Sequence, residues 1–172
     1  MKTNICINVL AVLMLLQVTD SFAQVKWLTM QQALELHKKQ PKKIFIDLYT
    51  DWCGWCKRMD AATFAHPVIA DKLNKDFYPV KFNAESKEPI VFQGTKFVNE
   101  YRTHQFAIAI TQGNLSFPTT VYFDEKLQLI TYLPGYRNAM QMEQILDFFI
   151  KNAYINTSFD DYVKTHKGTI TQ

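Results

Sequence analysis

The sequence predicts a three-layer α/β/α sandwich around a mixed central sheet, and three patterns carry that prediction. An apolar run over 43–50, a helix-compatible stretch and a second strand-like run at Phe77–Asn83 form a β-α-β unit. Its strands are then parallel, joined by a right-handed crossover. Phe117–Phe123 and Gln128–Leu133 are β-rich and closely connected, which makes an antiparallel pair. Helical patterns precede the first strand and follow the last, so helices cover both faces of the sheet.

In order along the chain, Thr29-Met30-Gln31-Gln32 is a capping box, with Thr at the N-cap and Gln at N3. The helix it opens runs to about Lys39, where Pro41 stops it. The run 43–50 is apolar in its middle apart from Asp47, the pattern of a central strand covered on both faces. A helix is expected from the cysteines that follow to about Thr63, and Pro67 suits the first turn of another, Val68–Asn74. Phe77–Asn83 alternates as the next strand, with Pro79 an awkward residue near its start. The stretch 85–94 reads as a loop. Lys96–Thr111 reads as a helix, with Phe97, Tyr101, Phe106 and Ile110 at loose helical spacing. Pro118 opens the strand after it, and Pro134-Gly135 closes the last one. Met140–Ala153 is an amphipathic helix, Ser158 caps a short final one, and the tail beyond is expected to be loose.

The 172 residues suffice for one domain with a real core, and 48% hydrophobic content describes a globular protein. A net charge of +3, evenly spread, gives no argument for nucleic acid or an anionic surface. The N-terminus carries an export pattern: Lys2, a mostly apolar stretch from Ile5 to Val18, then Ser21-Phe22-Ala23 before Gln24. Asn8 and Gln17 interrupt the apolar stretch, which is too short to be read as a membrane span. Residues 1–23 are therefore expected to be a signal peptide, and 24–172 one domain with a core at about 27–152 and a helical extension over 153–172. The mature chain is expected in the periplasm or outside the cell, with no stable membrane insertion. Cys6 leaves with the signal, so Cys53 and Cys56 are the only cysteines that remain.

Those two lie in Asp51-Trp52-Cys53-Gly54-Trp55-Cys56-Lys57, between the first strand and its helix. That junction puts Cys53 at a helix N-terminus, where unpaired N–H groups and the helix dipole favour a thiolate. Cys56, one turn on, can attack a mixed disulfide formed on Cys53. The same spacing serves metal sites, but no second cysteine pair or suitably spaced histidine pair completes one, and Lys57 stands where covalent haem attachment needs histidine. Dithiol–disulfide exchange leads, and a structural or metal-binding pair is the alternative. His37, His66, His104 and His166 share no spacing with an acid or with the cysteines and are read as surface or capping residues.

The chain resembles the thioredoxin superfamily, and more closely its exported thioredoxin-related branch. The match rests on Asp47, the stretch Trp52–Lys57, Lys81, Phe117-Pro118-Thr119, and the segment from Met59 to Phe64 with Pro67-Val68. It covers roughly residues 27–152. It implies a thioredoxin-like fold and a thiol–disulfide oxidoreductase in which Cys53 is the nucleophile and Cys56 resolves. Asp47 is then either a proton acceptor for Cys56 or simply the partner of Lys81, which the match places nearby. Pro118 is implied to be a cis proline against the cysteines, with a plain trans proline as the alternative. Trp52, Gly54, Trp55, Phe117 and Pro118 are the implied substrate-contacting residues, and Trp52 has core packing as its other reading. No cofactor or metal is implied. The expected partners are protein disulfides and, for a reductase in an oxidising compartment, a membrane-borne electron donor.

Two departures limit the resemblance. Trp55 stands where thioredoxin has proline, and 85–112 is longer than thioredoxin's equivalent. The restored N–H at position 55 favours a thiolate, whereas Asp51 and the aromatic flank oppose it. The reduction potential is therefore expected between thioredoxin and the strong oxidants, closer to thioredoxin. A binding module on the same scaffold without catalysis is the competing function.

Overall fold

The computed structural model describes residues 24–171. The signal peptide expected over 1–23, with Cys6, lies outside the described residues. The first helix, α1 (Met30–Lys39), begins at the expected capping box, in which Thr29 Oγ1 accepts from the Gln32 N–H and the Gln32 side chain accepts from the Thr29 N–H. Strand β1 (Lys43–Tyr49) follows, then α2 (Gly54–Met59), α3 (Pro67–Asp76) and β2 (Phe77–Asn83). The expected helix to Thr63 changes character part-way, because Asp60–Phe64 forms a π-helical segment. The wider turn buries Thr63 and Phe64 together. The Thr63 hydroxyl donates to the Arg137 carbonyl at 2.6 Å, and the Phe64 ring packs edge-on against Trp27 and Phe45.

The sheet continues with β7 (Thr119–Phe123) and β8 (Leu129–Pro134), after four short strands, β3 (Ile90–Phe92), β4 (Thr95–Phe97), β5 (Asn99–Tyr101) and β6 (Thr103–His104), and a short helix, α4 (Gln105–Ile110). Its order is β2-β1-β7-β8, with β1 parallel to β2 and antiparallel to β7, and β7 antiparallel to β8. The sheet is mixed, as the sequence predicts, and β1 is central. Pro79 costs the ladder nothing: β2 is an edge strand, and at Pro79 and Lys81 the outward main-chain groups meet Leu28, so the missing N–H points away from β1.

Alternation along β1 sorts the two cores. Ile44, Ile46 and Leu48 face a layer made by α1 and α4, with Met30, Ala33, Phe106 and Ala107. Phe45 faces the other layer, where α3 and α5 (Ala139–Ile150) contribute Ile69, Leu73, Met142, Leu146 and Phe149. Asp47 shares parity with Phe45 and so points into the layer that also holds α2.

Three expectations fail. The stretch 85–94 is not all loop and Lys96–Thr111 is not one helix, since four short strands, β3 to β6, lie within that span and only Gln105–Ile110 is helical. Phe92 and Phe97 both pack on Phe106 whereas Tyr101 is exposed, so the residues at helical spacing belong to separate elements rather than to one helix face. Gln93 and Gly94 both have positive φ, the two-residue turn that suits a β-hairpin. Of the histidines, His66 and His104 do cap helices, but His37 and His104 are buried, and His166 Nε2 lies 2.9 Å from Asp147 Oδ2. The tail is not loose. Beyond α6 (Phe159–Thr165), the Thr169 hydroxyl and the Ile170 N–H donate to the buried Glu143 carboxylate at 2.6 and 2.8 Å. Burial opposes the charge on Glu143, but these hydrogen bonds and nearby Lys72 hold its carboxyl below the usual range. Its stabilising contribution is therefore present above the unfolded pKa and is lost in acid, as pH falls through the depressed folded value. Glu143→Ala is expected to cost about 2–4 kcal/mol in urea denaturation near neutral pH, and less at low pH.

Candidate active site

Strand β1 ends at Tyr49, a tight turn follows, and Cys53 is the N-cap of α2. A cysteine can fill that position because its sulfur accepts the hydrogen bond that a serine oxygen would: Cys53 Sγ takes the Cys56 N–H at 3.0 Å. Cys53 and Cys56 form a disulfide, with Cα atoms 5.3 Å apart, and are only 4% and 2% exposed. Gly54 starts the helix beside them. A Cβ there would meet nothing within 4 Å, so the space beside Gly54 is open.

The site sits at the sheet end where β1, β2 and β8 finish and β7 begins. The Phe117–Pro118 peptide entering β7 is cis. Trp52 is 67% exposed; its indole stands edge-on to Phe117 at 5.9 Å, and its Nε1–H donates to Glu85 Oε1 at 3.1 Å. Trp55 is 57% exposed and packs against Tyr136, with the Arg58 guanidinium over both rings. Trp52 is thus a rim residue rather than a core one. Glu85 follows β2 and Tyr136 follows β8, at opposite edges of the sheet, so the disulfide lies between two aromatic walls.

Behind it, Asp47 is fully buried and pairs in register with Lys81 of β2, Oδ2 to Nζ 2.6 Å. Its other oxygen, Oδ1, has no hydrogen-bond partner among the described residues. Burial raises the Asp47 carboxyl from 3.8 to about 6; Lys81 pulls the other way, and Asp60 adds to the rise. Lys81 also pairs with Asp60, which opens the π segment, and its ammonium lies 4.9 Å from the Tyr49 ring centre and 5.2 Å from that of Trp27. Burial lowers the Lys81 pKa, but its two carboxylates outweigh that and hold it above the ordinary lysine range.

The structure therefore brings together Cys53, Cys56, Trp52, Gly54, Trp55, Phe117 and Pro118 at the mouth, and Asp47 with Lys81 beneath. Sequence reasoning missed Asp60, Glu85 and Tyr136. Asp60 had a readable signal, an acid one helical turn past Cys56. Glu85 and Tyr136 sit in connections whose path only the fold reveals. Among the described residues, no group of three or more His, Cys, Asp or Glu side chains is placed to hold a metal ion, and no helix is long and apolar enough to cross a membrane.

The sequence profile of the thioredoxin-like domain matches residues 30–150. The chain belongs to the thioredoxin-like domain family. Among curated proteins it is similar to the thiol:disulfide interchange protein DsbD of Pectobacterium atrosepticum, 28% identical over 113 residues, which are 64% of this chain and 17% of that protein. This thioredoxin-like chain thus matches a small part of a much longer relative. Two solved structures share the fold. A thioredoxin-fold protein from Helicobacter pylori superposes with a TM-score of 0.57 at 19% identity, over 72% of this chain and 83% of that one. A thioredoxin from Thermus thermophilus gives 0.56 at 16% identity, over 73% and 87%. Family and disulfide together make the mouth a thiol–disulfide redox centre.

Proposed function

We propose that this thioredoxin-like protein is an exported oxidoreductase that exchanges disulfides with protein substrates and works as a reductase. The observation that carries the reading is the Cys53–Cys56 disulfide at the start of α2, with a half-paired buried carboxylate behind it. In the reduced protein the Cys53 thiolate attacks a substrate disulfide. A mixed disulfide forms, and the first substrate sulfur leaves as a thiolate that takes a proton from solvent. Cys56 gives its proton to Asp47 and attacks the Cys53 sulfur. The Cys53–Cys56 disulfide closes, and the second substrate sulfur leaves as a thiolate that takes up the proton held by Asp47. Two electrons and two protons pass to the substrate. The helix N-terminus supports the Cys53 thiolate, and the low exposure of Cys56 shields it from outside attack. The cis Phe117–Pro118 segment supports docking of an extended substrate beside the disulfide.

Export rests on the pattern Lys2, Ile5–Val18 and Ser21-Phe22-Ala23. An exported reductase must be recharged, so a membrane-borne donor of electrons belongs to the proposal. The deciding test is insulin reduction driven by dithiothreitol, with the Cys53–Cys56 potential measured against glutathione. A potential near the thioredoxin value of about −270 mV supports a reductase, and one near about −120 mV makes the protein a disulfide donor instead.

Asp60 supplies a separate check. It raises the Asp47 pKa directly and competes with Asp47 for Lys81. Asp60→Asn is therefore expected to move the acidic inflection of the resolving step to lower pH while leaving Cys53 alkylation unchanged. An inflection that stays in place removes Asp60 from the site.

A further inference from the structure

The span that separates β2 from β7 carries a feature the exchange chemistry does not use. Tyr101, at the tip of the β5–β6 hairpin, is 86% exposed, the most exposed of the large hydrophobic side chains among the described residues. The tip is not a slack loop. Asn99 Nδ2 donates to the carbonyls of Glu85, Ser86 and Arg102, at 3.0 to 3.2 Å, and Arg102 is held at φ +75, a conformation that costs a non-glycine residue energy. At the hairpin base, His104 is fully buried: its Nδ1 accepts the Phe106 N–H and its Nε2 meets the Glu88 carbonyl. Main-chain bonds fix the same base, His104 N–H to the Ala84 carbonyl at 2.7 Å and Gln105 N–H to the Val98 carbonyl at 2.9 Å. Ordering an exposed tyrosine on a braced, strained tip stabilises no core.

The brace leads to the redox centre. Asn99 holds the Glu85 main chain, the Glu85 carboxylate holds the Trp52 indole, and Trp52 packs on Phe117 beside the cis proline. The hairpin therefore extends the wall of the mouth on the β2 side, opposite Trp55 and Tyr136. Because Cys53 and Cys56 are nearly buried, a disulfide within a protein chain reaches Cys53 by laying its flanking segment over this rim.

We propose that the hairpin Asn99–His104 is a substrate arm, with Tyr101 as a contact for an extended, unfolded protein segment bearing apolar side chains next to its disulfide. The inference rests on the oxidoreductase reading and adds the specificity that reading leaves open. Tyrosine suits the task, since it offers a large amphipathic surface and loses little conformational freedom on contact. A small disulfide enters between the walls without touching the arm.

The test compares second-order rates of reduced full-length protein with insulin and with 5,5′-dithiobis(2-nitrobenzoate), followed by stopped-flow tryptophan fluorescence. Tyr101→Ala is expected to slow the insulin reaction about five- to tenfold while the small-disulfide rate stays unchanged, the size expected of a lost aromatic contact. Asn99→Ala, which frees the tip, is expected to show the same split. Val91→Ser, an exposed apolar residue on the other hairpin, is expected to change neither rate. Equal rates for wild type and Tyr101→Ala on both substrates overturn the arm, as does a parallel fall on both or an equal effect of Val91→Ser. Wild-type protein that reduces neither substrate overturns the oxidoreductase reading first.

Discussion

Cys53→Ser is expected to drop insulin reduction to the uncatalysed background, whereas Cys56→Ser is expected to attack once and stop as a mixed disulfide. The asymmetry follows from the start of α2. Cys53 is the N-cap residue, and its sulfur already accepts the Cys56 N–H, a donor that stabilises a thiolate more than a thiol. An ordinary thiol near pKa ~8.5 is only about 3% ionised at pH 7, so each unit of depression raises the reactive fraction several-fold. Cys56 lies a turn further in, and without it no group is poised to release a captured substrate. Mass spectrometry of the Cys56→Ser protein after mixing with insulin should show a covalent adduct through Cys53. Iodoacetamide that labels Cys56 before Cys53 in the reduced protein would reverse the assignment.

Asp47→Asn is expected to separate catalysis from stability. The carboxyl is fully buried, and its pKa rises from 3.8 to about 6. A carboxyl whose folded pKa lies above its unfolded value is most favourable to the fold below the unfolded value. That contribution fades as pH rises from about 4 through 6, and above this the buried charge opposes folding by roughly 2–3 kcal/mol. Asparagine removes the titration and still accepts from Lys81. The variant should therefore be more stable than wild type at pH 7 by up to that amount and nearly equal to it at pH 4, as read by urea midpoints. Its release of substrate should be slower at pH 7, and the inflection near pH 6 should vanish. A variant less stable than wild type and fully active would leave Asp47 as nothing more than the partner of Lys81.

The parts of this molecule that were legible in the sequence are those governed by short-range pattern. The apolar run around Asp47, the Thr29 and Ser158 caps and the Cys53-Gly54-Trp55-Cys56 junction each carry their cause within a few residues, and the structure places them accordingly. Asp47 stood out as an acid in a strand otherwise fit for burial; its nearness to Lys81 came from the resemblance alone, and the structure sets the two in register across β1 and β2. Residues 85–112 were misread because their order is tertiary. Phe92, Phe97 and Phe106 belong to separate elements that meet in one cluster, and no local period records that meeting. The Gln93-Gly94 turn was the one available hint of a hairpin. Glu143 escaped notice for a similar reason: it reads as a polar position on an amphipathic helix, and only the returning tail reveals why a carboxylate is buried there.

The fastening of the segments on either side of the shared domain onto the α3–α5 layer separates the unit of ancestry from the unit of folding. The family profile spans residues 30–150, but Trp27 lies before it, 5.0 Å from Phe64, and Phe159 and Tyr162 lie after it, 5.4 and 5.2 Å from Phe148. A polypeptide trimmed to the shared boundaries would keep the cysteines, the sheet and Asp47. It would lose the aromatic cover of Phe148 and both tail donors to Glu143, leaving an ionised side chain facing Lys72 across a newly wetted surface. Such a fragment would carry the whole redox centre on a scaffold prone to self-association, so ancestry alone is a poor guide to where this protein can be cut.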